Sequence, residues 1–328
     1  MLRSRSLTIE GVLVPTISTA RRARLTRGTA VLAGVALLSG LVVATPAAAA
    51  PGAQPKATVT VAADRQDTRT EQRNACVVRM LLTKTFSDPD SRSSQQLAAR
   101  FVSPSAVARG AATAAGPEGL LAHFAADRTR VPGAQAVIKR VAADGDLVAV
   151  HWQITSDPRD ERSDDAAVDL FRLQHGRIVE HWSLEQPVPT GTPASGNTNT
   201  MFSDLYRPAR PTAAPSERQE ERNRILAVSA YDTLFRDQDA SILDRAFDPA
   251  YLQHNPVAPN GTAALKQLFG SGAQFPAQQS VISLSDGDIV WTFSQAVGAK
   301  PGDPLLAADL FRVDGGLIRE HWDVVPTN

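Results

Sequence analysis

The chain has 328 residues, with 34 basic and 34 acidic side chains, so its formal net charge at neutral pH is zero. This balance gives no basic excess of the kind that attracts nucleic acid, and we expect no nucleic-acid partner. Hydrophobic residues make up 43% of the sequence, which is ordinary for a globular protein. The length suits two domains with flanking segments.

The first segment, residues 1–49, has the layout of an export signal. Several arginines precede an apolar run, 29–44, and an alanine-rich stretch follows. The run is shorter than the roughly 18–20 residues that cross a bilayer, so no stable membrane span is expected after cleavage near Ala49. The pattern predicts a secreted or extracytoplasmic protein, exported by the general route or, given Arg21-Arg22, by the twin-arginine route. A retained anchor is the alternative.

The next segments predict a linker and a first domain. Residues 50–66 resemble a flexible linker, and residues 67–190 contain helical periodicity followed by alternating strand patterns. Cys76, the one cysteine, lies in an apolar stretch and is predicted to be a small buried hydrophobic residue. The predicted helices are 67–86, 91–101 and a third after Gly116-Pro117, and the predicted strands are 134–143, 146–156, 166–173 and 177–186.

A second domain follows in the same order. Residues 191–215 are rich in Pro, Thr and Ser and predict a linker, and residues 216–328 predict the second domain. Its predicted helices are 216–236, 239–247 and 262–269, and its first strands are 278–284 and 289–296.

Each predicted domain ends in nearly the same sequence. DLFRLQHGRIVEHW at 169–182 matches DLFRVDGGLIREHW at 309–322, with a constant offset, which indicates two domain-sized copies of one module. The segment predicts a β-hairpin. Strict alternation would place Ile318, Glu320 and Trp322 on one face of the last strand. Leu317, Arg319, His321 and Asp323 would then lie on the other face.

The element order predicts an α+β fold made of two tandem cone-shaped domains. Each would have a curved antiparallel sheet with about three helices packed on one face. Such a sheet, covered on one side, encloses an apolar cavity suited to a small molecule.

Several motifs resemble the SnoaL-like family of the nuclear transport factor 2-like superfamily. They are the segment YLQHNP at 251–256, Gly261, an Asp-Gly-Asp turn and the terminal pattern D-x-F-R…G-x-I-x-E-H-W-D-V. The family includes polyketide cyclases, and the superfamily includes isomerases, hydrolases, dehydratases and members that only bind. The resemblance implies a cone fold and a small-molecule ligand, and it does not specify a reaction. Because related domains pair sheet to sheet, it also implies an intramolecular pseudo-dimer of the two copies.

The resemblance also supplies candidate site residues. Asp309 would be a general base whose pKa is raised by an apolar pocket, and His254 or His321 would stabilise an oxyanion. Each of the three has a structural alternative. Asp309 would be a carboxylate hydrogen-bonded to backbone, His254 would only shape a loop, and His321 would be a structural partner of Glu320 or of a backbone group. The less favoured set in the first domain is Asp169, His151 and His181. The candidate ligand-binding residues are Tyr251, Asn255, Trp291, Trp322, Trp152 and Trp182.

We therefore expect an exported protein that binds a small apolar or carbonyl-containing molecule. Cofactor-independent acid/base chemistry of the aldol or isomerase type is one hypothesis. A non-catalytic ligand-binding or protein-interaction module is the other. The sequence has no H-x-H or H-x-x-x-H spacing and no phosphate-binding loop, so we expect no metal and no cofactor.

Overall fold

The computed structural model describes residues 58–110, 114–193, 195–209, 214–270, 275–300 and 302–326. The predicted export signal and the first part of the following linker lie outside these residues. Among the helices described, none has both the length and the apolar character required to cross a membrane.

The first domain contains three helices and a five-stranded sheet. The first helix starts at Thr58, inside the segment predicted to be a flexible linker, so that prediction is wrong from residue 58 onward. The helices are α1 (Thr58–Thr85), α2 (Arg92–Phe101) and α3 (Gly116–Arg130), and the strands are β1 (Val102–Gly110), β2 (Gln135–Asp144), β3 (Leu147–Thr155), β4 (Asp165–Gln174) and β5 (Arg177–Pro187).

The second domain repeats this order. A 3₁₀ turn at Ala240–Ile242 precedes its short second helix. The helices are α4 (Glu217–Phe235), α5 (Leu243–Ala246) and α6 (Thr262–Gly270), and the strands are β6 (Phe247–Gln253), β7 (Gln278–Asp286), β8 (Ile289–Ala296), β9 (Ala307–Asp314) and β10 (Leu317–Val324).

The two sheets have the same topology. The strand orders are β1-β5-β4-β3-β2 and β6-β10-β9-β8-β7. Four strands of each sheet are antiparallel neighbours, as expected, but β1 and β6 pair in parallel with the last strand of their domain. The predicted α+β class and the four antiparallel strands are confirmed, and the additional parallel strand makes each sheet mixed.

A β-bulge changes the faces predicted for the last strand. Val313 pairs with Ile318 and Arg312 pairs with Glu320, so Arg319 is an extra residue without a partner on β9. A bulge shifts the in–out alternation by one position. Ile318 therefore lies on the same face as His321 and Asp323, not with Trp322 as strict alternation predicts. The first domain has the same irregularity at Val179.

Each domain has its own apolar interior between one sheet face and the helices. In the first domain Phe86, Phe124 and Trp152 are at most 1% exposed and contact one another edge to face. In the second domain Tyr231, Phe247 and Tyr251 occupy the corresponding layer. Cys76 is exposed on α1, so its predicted burial is wrong: the buried positions Val77 and Val78 follow it on the helix.

The other faces of the two sheets pack against each other. One cluster of buried residues takes members from both sheets and from the segment between the domains. We call this contact the seam. Its aromatic members are Trp182, Phe202, Trp291, Phe293 and Trp322. Strands such as β3 are therefore buried on both faces, which hides the alternation that a half-exposed strand shows.

The edge of the seam carries a reciprocal set of hydrogen bonds. Asp144 accepts a bond from the backbone of Ser285, and Asp286 accepts one from Ala143. Within each domain a helix carboxylate caps the adjacent turn: Glu71 accepts from the Gly145 N–H, and its counterpart Glu220 accepts from the Gly287 N–H. Four carboxylates thus gather where the β2–β3 and β7–β8 turns meet.

Candidate functional site

The second domain encloses a cavity of about 70 Å³ between its sheet and its helices. Most of its wall is apolar and aromatic, including residues of α4, β6 and α6. One end of the wall is polar, because three side chains from β9 and β10 meet there. These polar residues are Asp309, His321 and Asp323, with Gln253 and Asn255 beside them.

The strand register explains why these three side chains meet. Asp309 on β9 lies directly opposite Asp323 on β10, and His321 lies two residues before Asp323 on the same face. All three are nearly buried, with exposures of 4–6%. The bulge at Arg319 takes up one extra residue, so that Ile318, His321 and Asp323 lie on the same face of the strand.

Hydrogen bonds fix the protonation pattern of His321. Its Nδ1 lies 2.8 Å from Gln253 Oε1, and its Nε2 lies 3.0 Å from Asp309 Oδ1. The amide of Gln253 is oriented by the Asn255 N–H, which donates to the same Oε1. Nδ1 must therefore donate to Gln253, which leaves Nε2 facing Asp309 Oδ1.

Asp323 is held differently from Asp309. Asn255 Nδ2 donates to its Oδ2 at 2.5 Å, and its side chain is almost completely buried. Burial raises the pKa of Asp323 to about 6, with His321 lowering it and Asp309 raising it. The site thus combines a carboxylate paired with an imidazole and a second carboxyl that keeps its proton to a higher pH than an ordinary Asp.

Several polar atoms of this site have no hydrogen-bond partner among the described residues. They are Asp309 Oδ2, Asp323 Oδ1 and the Tyr231 hydroxyl, the last of which lies beside Asp309 and Ser294. Burial raises the pKa of both Tyr231 and Tyr251 well above the ordinary value, so both phenols stay protonated and can donate. Buried polar groups are normally bonded, and unpaired ones in a cavity are available to a ligand.

The equivalent region of the first domain is filled by protein. Asp169 and His181 form the same contact, 2.7 Å between Asp169 Oδ1 and His181 Nε2. Here Trp152 Nε1 donates to the second oxygen of Asp169 at 2.5 Å, so both carboxylate oxygens are occupied. Burial raises the pKa of Asp169, but the hydrogen bond and charge of His181 outweigh it and lower the pKa overall.

Two replacements account for this difference between the copies. In the first domain Trp152 lies opposite Ala167 on the neighbouring strand. In the second domain Ser294 holds the equivalent position, opposite Ala307. Ser183 lies opposite Asp169, where the second copy has Asp323 opposite Asp309. The first copy has a bulky indole and no second carboxyl, whereas the second has a small residue and a pair of carboxyls.

Two predicted site histidines do not lie with the aspartates. His254 is buried against the interdomain segment: Nδ1 donates to the Thr200 carbonyl, Nε2 lies 2.9 Å from Glu320, and the ring stacks on Trp322. His151 is buried in the seam beside Arg140, because it lies on the opposite sheet face from Trp152. Burial, followed by the charge of Arg140, lowers the pKa of His151 well below its usual value.

The predicted ligand-binding residues also divide between locations. Tyr251 and Asn255 line the cavity. Trp182, Trp291 and Trp322 lie in the seam cluster, on the far side of the sheets from it. Trp152 fills the interior of the first domain. The rest of the aromatic wall comes from residues that sequence reasoning missed, including Phe235, Phe269 and Phe275.

Asp323 is the principal polar residue that sequence reasoning did not select. Its signal was its position two residues after His321 in a strand, which puts both side chains on one face. The structure also brings together two sets of potential metal ligands: Asp309, His321 and Asp323, and in the first domain His123, Asp127 and Glu185.

Comparison with known proteins identifies the domain type. The family model for a SnoaL-like domain matches residues 91–181, which confirms the resemblance seen in the sequence and places a SnoaL-like domain in the first half of the chain. The second half repeats the same sheet topology. No curated protein sequence shows significant similarity to the chain.

Two solved structures are similar to about a third of this chain each. Wild-type IdmH from Streptomyces antibioticus, a proposed polyketide cyclase, is 22% identical and covers 34% of this chain and 91% of its own, with a TM-score of 0.27. A proposed isomerase of the SnoaL-like family from Agrobacterium tumefaciens is 18% identical and covers 35% of this chain and 98% of its own, with a TM-score of 0.31.

Proposed function

We propose that the second domain binds a small carbonyl-containing molecule and performs cofactor-independent acid/base chemistry on it. The observation that carries the proposal is the unpaired Oδ2 of Asp309, which lies in an apolar cavity while His321 holds the other oxygen. A general base needs such an accessible lone pair beside a group that fixes its orientation.

The geometry supports different roles for the carboxyl groups of Asp309 and Asp323. Asp309 would take a proton from the carbon next to the carbonyl, with His321 stabilising the protonation change. Asp323, in its protonated form, would donate to the oxygen that becomes an enolate, and the Tyr231 hydroxyl supplies a second donor. Returning the proton to another carbon gives an isomerisation, and attack of the enolate on a second carbonyl gives an aldol closure.

The mostly apolar and aromatic wall of the cavity supports a second candidate function, binding without catalysis. Ordinary ligand pockets measure roughly 300–1,000 Å³, whereas this cavity measures about 70 Å³. A ligand of more than a few heavy atoms would require aromatic lining residues such as Phe269 and Phe275 to move. A small-molecule binding protein would retain its ligand without needing the second carboxyl.

Ligand capture followed by variant analysis tests the proposal. The purified chain is incubated with small-molecule extracts, and retained compounds are identified by mass spectrometry. Wild type and Asp309→Asn should retain the same compound, with conversion slowed about 10²–10⁴-fold in the variant. Ala258→Phe, which fills the cavity, should retain none, and Asp169→Asn should behave as wild type. Retention by the filled variant would exclude the cavity, and equal conversion by Asp309→Asn would exclude the base.

We also propose that the chain is exported and acts as an intramolecular pair of SnoaL-like domains. The arginine-rich start and apolar run of residues 1–49 support export, and the seam cluster supports pairing within one chain. N-terminal sequencing of protein from the culture medium should begin near Ala50. Light scattering should give the mass of a monomer, and a dimer would contradict the pairing proposal.

A further inference from the structure

A second polar cluster lies in the first domain, away from the proposed acid/base site. His123 and Asp127 are one helical turn apart on α3, so they lie on the same helix face. Glu185 on β5 points toward the same place. His123 is 8% exposed and Asp127 is 3% exposed, so two ionisable groups are nearly removed from solvent.

Two atoms in this cluster are unpaired and face each other. Neither His123 Nε2 nor Asp127 Oδ2 has a hydrogen-bond partner among the described residues. His123 Nε2 lies 3.7 Å from Asp127 Oδ2 and 3.5 Å from Glu185 Oε1. Buried atoms of this kind cost free energy unless something binds them.

These separations suit ligands around one metal ion. Zinc-type ions bind His nitrogen and carboxylate oxygen at about 2.0–2.2 Å, which puts neighbouring tetrahedral ligands roughly 3.4 Å apart. The three ligand atoms lie within 4.8 Å of one another. His123 Nε2 is too far from either carboxylate to form a good hydrogen bond, and all three groups are close enough to share a cation with small adjustments.

We propose that His123, Asp127 and Glu185 bind one divalent first-row transition-metal ion through Nε2 and one oxygen from each carboxylate. One imidazole with two carboxylates suits ions such as Zn²⁺, Co²⁺ or Mn²⁺, whereas Ca²⁺ and Mg²⁺ prefer oxygen ligands alone. A fourth position remains for water or an anion. Glu185 and Arg130 also line a neighbouring pocket of about 450 Å³, so one of the three ligands borders accessible space.

Arg130 both supports the site and competes with it. Its Nη2 lies 2.9 Å from Asp127 Oδ1 and also contacts Glu185 Oε2, so it binds the oxygens that do not face His123. This leaves one oxygen of each carboxylate directed at His123. The other set of potential ligands is less suitable, because both ring nitrogens of His321 already contact Gln253 and Asp309.

Metal titration of the purified, chelator-treated full chain tests the proposal. Zn²⁺ should bind with one ion per chain and raise the melting temperature, and Co²⁺ should give visible absorption bands from a bound nitrogen–oxygen site. His123→Gln and Glu185→Gln should each weaken binding by at least about 100-fold, the upper end for groups that merely support a ligand. Asp323→Asn should leave metal binding unchanged.

Arg130→Ala provides a measurement that does not depend on altered ligands. Removing the competing cation leaves the three ligands in place, so Zn²⁺ should bind more tightly than to wild type. If the cluster is only an arginine-neutralised carboxyl pair, this variant will be less stable and will not bind Zn²⁺. Absence of stoichiometric binding by wild type, binding unaffected by both ligand variants, or loss only in Asp323→Asn would overturn the proposal.

Discussion

At the scale of single residues, one repeated motif has two different environments. The Asp–His pair occurs in both copies, yet both oxygens of Asp169 are occupied and one oxygen of Asp309 is not. The difference is due mainly to position 152, where an indole fills the space and donates a hydrogen bond. The same two residue types therefore stabilise the core of one domain and line a cavity in the other.

Substituting asparagine for each aspartate should separate these roles. Asp169→Asn should lose about 1–3 kcal/mol of unfolding free energy, because an amide cannot accept from both Trp152 and His181 while keeping its own donors paired. Asp309→Asn should change the free energy by less than about 1 kcal/mol, because a neutral amide relieves the desolvation of a buried carboxylate. Chemical denaturation of both variants measures this. Equal losses would show that Asp309 is also structural.

At the scale of elements, the bulge in the last strand takes up one extra residue, so that Ile318, His321 and Asp323 lie on the same face. It occurs at Val179 and at Arg319, so both copies keep it although the residue type differs. Arg319 donates to the Asp314 carbonyl and pairs with Asp248, but the extra residue itself, rather than its side chain, makes the bulge.

Deleting Arg319 should therefore remove the bulge without changing the faces of the cavity residues. Ile318 and Glu320 would become consecutive and would pair with the consecutive residues Val313 and Arg312, so His321 and Asp323 would still face the cavity. We expect the deletion variant to unfold cooperatively. Arg319→Ala keeps the bulge and should lose only about 1 kcal/mol from its ion pair. Thermal melts monitored by circular dichroism compare the two, and loss of cooperative unfolding in the deletion variant would contradict this account.

Most helices and strands could be predicted from sequence, because their periodicity and turn residues are local signals. The strands β1 and β6 were missed because each contains a proline, Pro104 or Pro249, which argues against a strand unless it lies at a sheet edge. The faces after the bulge could not be predicted because a bulge is defined by the partner strand. His151 and His254 were grouped with the aspartates by chemistry alone, without information on which face they occupy.

At the scale of the whole molecule, the seam gathers carboxylates with raised pKa values. Burial is the main cause for Glu220, whose pKa is raised to about 7, with the Gly287 N–H opposing it and Glu217 and Asp286 adding repulsion. The pKa of its counterpart Glu71 is raised for the same main reason. The turns that close each sheet are thus joined through groups that resist ionisation.

The raised pKa of Glu220 determines how the stability of the folded state changes with pH. The unfolded Glu220 titrates near 4.5 and the folded one near 7, so between these values the folded state holds the extra proton and its stability falls as pH rises. Glu220→Gln keeps an acceptor for Gly287 and removes this penalty. The variant should melt at about the wild-type temperature at pH 4.5 and above it at pH 8. Glu71→Gln should change in the same direction, and a Glu220→Gln variant less stable than wild type at pH 8 would refute the assignment.

Covalent linkage of the copies also changes how this protein can evolve. In a homodimer every substitution appears twice, so a buried arginine at the contact would bring a second arginine and a second desolvation cost. Here Arg140, which lies opposite His151, is 9% exposed and packs over Trp322. The equivalent residue in the second copy is Ile282, which lies opposite Phe293. A single gene encoding both partners lets each side of the contact mutate separately, so one copy can lose its cavity and the other can keep it.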